Sequence, residues 1–305
     1  MNAALKLAAF AAVLALLAGG GAIAGATLGP DRDSAERPKM AGHGEDGGTA
    51  TAETSHGENG ATATAQSGHD EDGGAHGEAD AVRGLATAQD GLRLELRTPE
   101  LRRGADERLV FAITGDDGRP VENLDVTHTK RMHVIVVRRD LTGFQHVHPQ
   151  PAADGTWTAP LRLDAAGSYR VFADFSHDGE ARTLASDLRV DGPADLRPLP
   201  EPAATARTAD GDDVELTATG AHPGQEAELR FAIARNGRPV ATEPYLGADG
   251  HLVALREGDL AFLHVHPEGD RFMATFPTEG RYRLFLQFKA DGRVHTAAFT
   301  QEVPR

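Results

Sequence analysis

The sequence predicts an all-β protein: two tandem β-sandwich domains that follow an N-terminal transmembrane helix and a disordered linker. Three observations predict it. From about residue 85 onward, short apolar runs alternate with period two and are punctuated by Gly, Pro and Asp. The second half of that region repeats the first. Ahead of both lies a long uncharged N-terminal stretch and then a polar, acidic segment with no apolar periodicity.

The elements follow in chain order. Lys6 is the only charged side chain before Asp31, and the stretch from Leu7 to Leu28 is long enough to cross a hydrocarbon core of about 30 Å. Residues 1–29 are therefore expected to be a transmembrane anchor or signal segment. Lys6 on one side and Asp31 and Asp33 on the other send the C-terminal bulk outward by the positive-inside rule. Ala22-Ile23-Ala24 and Ala24-Gly25-Ala26 are small-x-small sites, so cleavage and secretion are the alternative to a single-pass anchor in the cell membrane. The chain has no cysteine, which removes lipoprotein attachment and disulfide stapling together.

Residues 30–82 form the linker. From Pro30 to Asp80, twelve acids stand against Arg32, Arg37 and Lys39, so nine of the fifteen net negative charges sit there. Such a composition cannot bury enough apolar surface to offset its ordering entropy. His43-Gly44-Glu45, His56-Gly57-Glu58 and His76-Gly77-Glu78 repeat one tripeptide, His69-Asp70-Glu71 is a variant, and Met40 precedes the first. Imidazole beside carboxylate suits divalent Cu, Zn or Ni, and a solvated spacer is the competing account.

The first β domain is expected over residues 83–192, a proline-rich linker over 193–204, and the second domain over 205–305. Leu92, Leu94 and Leu96 alternate, then Leu109, Phe111 and Ile113; later come Leu229, Phe231 and Ile233, then Tyr282, Leu284, Leu286 and Phe288. Gly118-Arg119-Pro120-Val121 recurs as Gly237-Arg238-Pro239-Val240, and Gly167-Ser168-Tyr169-Arg170 as Gly280-Arg281-Tyr282-Arg283. About 100 residues per copy, with Gly-x-Tyr opening a late strand near a tyrosine corner, indicate immunoglobulin-like sandwiches.

The candidate chemistry lies in one repeated window. His133, His146 and His148 precede Pro149, and His251, His264 and His266 precede Pro267 at the same spacing. Seven of the 17 positions from His133 to Pro149 are identical in the second copy, and all three histidines are among them. A hairpin turning at Asp140-Leu141 would bring His133 opposite His148, with directly opposed Cβ atoms about 4.5–5.5 Å apart. His146 and His148 leave the same face of their strand. Two separate tris-imidazole metal sites are thus expected, one per domain. Met132 is a further candidate ligand, but only through a bulge, since a regular strand turns it to the opposite face; Gly250 stands in its place in the second copy. The competing account has these histidines bonding backbone groups and shaping turns. His128, His177, His222 and His295 are weaker candidates.

A net charge of −15 excludes a nucleic-acid partner and suits cations. The sequence has no His-Glu-x-x-His and no Gly-x-Ser-x-Gly, so no enzyme is expected. On the phrase from Met132 to Pro149 and its repeat, the chain resembles bacterial envelope proteins of the heavy-metal-associated kind. These carry an N-terminal anchor, a His-rich acidic spacer and β domains with His-Val-His-Pro; in plan they are similar to periplasmic copper-carrier β-sandwiches. The resemblance implies a metal theme. The scarcity of methionine turns it from Cu(I) toward Cu(II) or Zn(II). The expected function is a membrane-tethered, extracytoplasmic metal-binding protein, with copper first, that buffers or delivers the ion. The alternative is a structural or adhesive envelope module that binds a protein partner and no metal.

Overall fold

A computed structural model describes residues 82–305, apart from His264 and the side chain of His266. The expected anchor and nearly all of the acidic linker, with its histidines, lie outside the described residues. Among the described residues every regular element is a strand, and no helix is long and apolar enough to cross a membrane.

The first domain is a sandwich of two five-stranded sheets. One runs β2 (Ala88–Gln89), β3 (Leu92–Leu96), β5 (Asp106–Thr114), β9 (Trp157–Arg162) and β8 (Gln150–Pro151), in that spatial order. The other runs β4 (Glu100–Leu101), β11 (Glu180–Val190), β10 (Gly167–His177), β6 (His133–Arg138) and β7 (Gln145–Val147). All these pairs are antiparallel except β4, which lies parallel to β11.

The second domain repeats the plan. Its first sheet runs β12 (Thr205–Arg207), β13 (Asp213–Thr219), β14 (Glu226–Arg235), β19 (Arg271–Thr275) and β18 (Val265–Glu268), with β15 (Arg238–Pro239) also on β14. Its second sheet runs β1 (Val82–Arg83), β17 (Phe262–Leu263), β16 (His251–Arg256), β20 (Gly280–Ala290) and β21 (Arg293–Val303). The strand β1 precedes the first domain in sequence yet joins the sheet of the second.

Both sandwiches close with a tyrosine corner, the Tyr hydroxyl donating to a carbonyl four residues upstream. Tyr169 bonds Ala165 at 2.8 Å and Tyr282 bonds Thr278 at 2.9 Å. With the sheet order, this makes the domains immunoglobulin-like.

The period of two separates the strand faces. Leu109, Phe111, Val134, Val136, Val171 and Leu184 fill the first core, and Leu229, Ala254, Leu284, Leu286 and Phe299 belong to the second. On β6 and β16 the opposite face is covered as well. Ile135, Val137, Leu141 and Phe172 pack with Val253, Leu255, Phe262 and Phe285 in a third apolar cluster shared by the two domains. Phe144 stacks on Phe285 with ring centroids 4.1 Å apart and planes 10° apart, and Phe172 meets Phe262 at 5.5 Å. Phe144 and Phe262 are equivalent in the two copies, as are Phe172 and Phe285, so each domain offers the same two rings to the other. Leu199, from the proline-rich stretch, is buried in the same cluster.

Gly84 lets β1 reach this junction. It has φ +68°, and a Cβ there would lie 2.6 Å from the Phe172 ring. Its N–H donates to the Thr183 carbonyl at 3.0 Å, while Arg170 donates to the carbonyls of Gly84 and Leu85.

Replacing Tyr169 by Phe removes the corner bond and leaves the Ala165 carbonyl short of a partner. Equilibrium denaturant unfolding is expected to show a loss of about 1–3 kcal/mol, against a near-neutral change for Phe at an exposed control position.

Candidate metal centre

The strand β6 starts at His133, and its register with β7 pairs Val134 with Val147, Ile135 with His146 and Val136 with Gln145. Continued by one position, it sets His133 opposite His148. Met132, Val134 and Val136 belong to the first core. His133 therefore leaves the other face, with Ile135 and Val137, and so do His146 and His148. Met132 is buried in the sandwich interior as a regular strand requires, and the thioether stands apart from the histidines.

A charged bolt holds the turn of this hairpin. Leu141 and Gly143 take left-handed φ of 61° and 64°. Buried Arg138 clasps Asp140 through Nε at 2.9 Å and Nη2 at 2.5 Å, and also donates to the carbonyls of Ala166 and Asp195. Burial alone would raise the Asp140 pKa, but bonds from Arg138 and Thr142 and from the Arg197 N–H bring it down to about 2.

The three imidazoles converge. His133 Nδ1 lies 3.2 Å from His146 Nε2 and 3.2 Å from His148 Nε2, and the three nitrogens fall within 4.8 Å of one another. Nitrogens that share one tetrahedral ion at 2.0–2.1 Å stand about 3.3 Å apart, so this group can hold a metal.

Hydrogen bonds set the tautomers. His133 Nε2 is 3.1 Å from the Thr127 carbonyl, which only accepts, so the proton is on Nε2 and Nδ1 is bare. His146 Nδ1 is 2.7 Å from Gln287 Oε1, and the Gln287 amide nitrogen donates to Thr296 Oγ1 at 3.3 Å. The Thr296 hydroxyl can donate as well as accept, so the tautomer follows the amide: with its oxygen toward His146, the imidazole donates from Nδ1 and leaves Nε2 bare. Two lone pairs thus face each other across 3.2 Å. Such a contact is repulsive without a cation between them. A proton is a poor candidate, because burial foremost, and then the neighbouring imidazoles, lower His146 to about 3 and His148 to about 4. Burial lowers His133 as well, despite the bond to Thr127.

His251 of the second copy lies close to the first triad. Its ring centroid is 6.3 Å from that of His133 and 6.2 Å from that of His146, across the domain junction. Its Nε2–H donates to the Tyr245 carbonyl at 3.1 Å, six residues upstream, as His133 does to Thr127. Burial holds its pKa at about 4. The expected partners of His251, the imidazoles of His264 and His266, lie outside the described residues.

Sequence reasoning ranked one neighbour of the triad low, His128, and passed over two, Gln287 and Asp174. His128 stands edge-on to His251 at 5.5 Å and to His133 at 6.2 Å. It occupies a two-residue turn with Thr129, at φ 50° and 67°, closed by a bridge between Thr127 and Lys130; Leu246 and Gly247 repeat that turn at 52° and 86°. Gln287 was invisible because it belongs to the other domain. Asp174 pairs with His133 in the β6–β10 register and receives the Thr183 hydroxyl at 2.7 Å; burial raises its pKa. The one available signal was the matched place of Asp174 and Gln287, each seven residues after the glycine that opens its strand.

The remaining histidines stand apart. His177 meets the Asn123 carbonyl at a surface turn, and His222 lies in the turn bonded to Gly220. His295 is buried beside Asp210 and against Phe288.

A family model described as a domain of unknown function, DUF8832, matches residues 86–192 and again 206–305. The chain belongs to the DUF8832 family. Each of its two DUF8832 repeats contains one copy of the histidine window. No curated protein sequence matches the chain. Among solved structures it is similar to FdeC, an Escherichia coli adhesin, at 11% identity over 74% of this chain and 66% of that one, TM-score 0.25. It is similar to InvD of Yersinia pseudotuberculosis at 13% identity over 70% and 57%, TM-score 0.25. With Escherichia coli alpha-2-macroglobulin it shares 16% identity over 70% and 20%, TM-score 0.25. The chain covers less than two thirds of each of these relatives, and the likeness does not bear on function.

The depressed histidine values set a pH dependence. Below about pH 6.5 the unfolded chain takes up protons that the folded imidazoles refuse. This contribution to stability is intact above 6.5 and declines as the pH falls toward the folded values of about 4 and about 3. The melting temperature of metal-free protein is expected to fall between about pH 7 and about pH 4.5, and to fall less in His148→Ala; parallel profiles for parent and variant would contradict it.

Proposed function

We propose that this chain is a membrane-tethered, extracytoplasmic metal-binding protein that buffers or delivers a divalent ion, Cu(II) first and Zn(II) second. The observation that carries this reading is the convergence of three imidazole nitrogens, with His133 Nδ1 3.2 Å from both His146 Nε2 and His148 Nε2. Neutral imidazoles without sulfur suit Cu(II) and Zn(II) better than Cu(I). His133, His146 and His148 form the first centre, and His251, with His264 and His266, supplies the second copy. The net charge of −15 and the spacer histidines draw cations toward the domains. The role proposed is binding rather than catalysis.

A second reading is a structural or adhesive envelope module. It is favoured by the domain junction, whose Phe144–Phe285 stack and surrounding apolar residues involve no imidazole. In that case the histidines brace the junction and a protein is the partner.

Titration of the protein with Cu(II) and Zn(II), followed by calorimetry and thermal melting, separates the two. Metal at 100 times its dissociation constant is expected to stabilise the fold by about 2.7 kcal/mol. The double variant His146→Ala, His148→Ala is expected to lose the high-affinity equivalent. Equal binding by parent and variant would eliminate the first centre, and no melting shift with either ion would favour the adhesive reading.

A further inference from the structure

The metal centre of the first domain is oriented by the second. We infer that Gln287 is a positioning residue for the His133–His146–His148 centre, so that ion binding and domain docking are coupled. The inference rests on the metal-binding reading above and adds to it that the centre is incomplete within one domain.

The second domain hydrogen-bonds His146 through Gln287. Gln287 lies on β20, opposite His251 in the β16–β20 register. Tyr282, Leu284, Leu286 and Phe288, its alternating neighbours, fill the second core, so Gln287 projects with Phe285 into the junction. There its Oε1 accepts from His146 Nδ1 at 2.7 Å, a shorter contact than the 3.1 Å from His133 to its own domain's Thr127. Gln287 is itself 8% exposed and held from behind by Thr296, so its amide is pre-aimed at His146. An imidazole that ligates through Nε2 needs an acceptor on Nδ1 to fix both its tautomer and its ring plane. In this chain that acceptor belongs to the other domain. His133, by contrast, is oriented locally.

Two consequences follow by linkage. Anything that separates the domains removes the acceptor from His146 and lowers affinity for the ion. Conversely, the ion raises the free energy needed to separate them, by the same factor. The first domain holds a carboxylate, Asp174, at the position that corresponds to Gln287, also on the junction face. A carboxylate is therefore a side chain this scaffold already accommodates there, which makes Gln287→Glu the conservative replacement.

The test is Zn(II) affinity of the full chain by competition with a chromogenic chelator, with Cu(II) electron paramagnetic resonance as a second readout. Gln287→Leu is expected to weaken Zn(II) binding at the first centre by about 10–100-fold and to change the Cu(II) spectrum, since the ring is no longer held. Gln287→Glu is expected to bind as tightly as the parent or more so, because it restores a stronger acceptor. Phe285→Ala, which removes the ring stacked on Phe144 and so thins the junction, is expected to weaken binding as well. If the parent binds through His146 and His148 but Gln287→Leu binds equally well, or Gln287→Glu fails to restore affinity, the inference is overturned and the metal centre stands. If the parent binds neither ion, the metal reading fails and takes this inference with it.

Discussion

The contact on which the rest of this structure depends is the packing of one sheet of each domain against the other. In β6, Val134 and Val136 serve the sandwich interior while Ile135 and Val137 serve the junction, and every residue from His133 to Arg138 is buried. Closing that face buries His133 and half-buries His146 and His148, lowers their proton affinity, and delivers Gln287 to His146. It also brings His251 and His128 within ring contact of each other. If the domains were beads on a string, none of these relations would exist. The hairpin would carry three solvated imidazoles of ordinary basicity.

Much of this was legible in the chain. Period-two alternation gave the strands, the duplicated phrases gave the two domains, and the tyrosines after Gly167 and Gly280 marked the corners that bond Ala165 and Thr278. The convergence of His133, His146 and His148 followed from spacing alone, because an antiparallel hairpin that turns near Asp140 must set 133 against 148. The same alternation set Met132 in the core. What spacing could not supply was the cover over the outer face. Periodicity tells which side chains leave a strand together, not which surface they meet. The uninterrupted run Val134-Ile135-Val136-Val137 was the available hint, since strands buried on both faces lose their polar alternation. The retention of Arg138 as Arg256 and of Phe144 as Phe262 likewise has structural reasons. The arginines clasp Asp140 and Asp259 at the hairpin turns, and the phenylalanines enter the junction.

The repeated architecture is not a plain duplication of function. Each copy holds its leading histidine by a carbonyl six residues upstream, in a turn built from two left-handed residues. The first copy places His128 and the β-branched Thr129 where the second has Leu246 and Gly247. A β-branched residue in that region is strained, whereas glycine is at ease there. The cross-domain positions differ too, a carboxylate at Asp174 against an amide at Gln287. Around one pseudo-symmetric frame, the two copies thus present different charge and hydrogen-bonding character at equivalent places.

The short strand β1 has a mechanical meaning. It joins the second domain through only two paired positions, Val82 with Leu263 and Arg83 with Phe262, while Gly84 next to it is bonded to Thr183 of the first. Tension drawn along the chain from its N-terminal side would therefore load both domains at the seam between them, before either sandwich is pulled end to end. The two-residue ladder would part first and act as a fuse, shielding the long β10–β11 and β20–β21 pairs from the initial pull. Such a pull would in this way meet the protein at its least costly joint, next to the apolar seam between the domains.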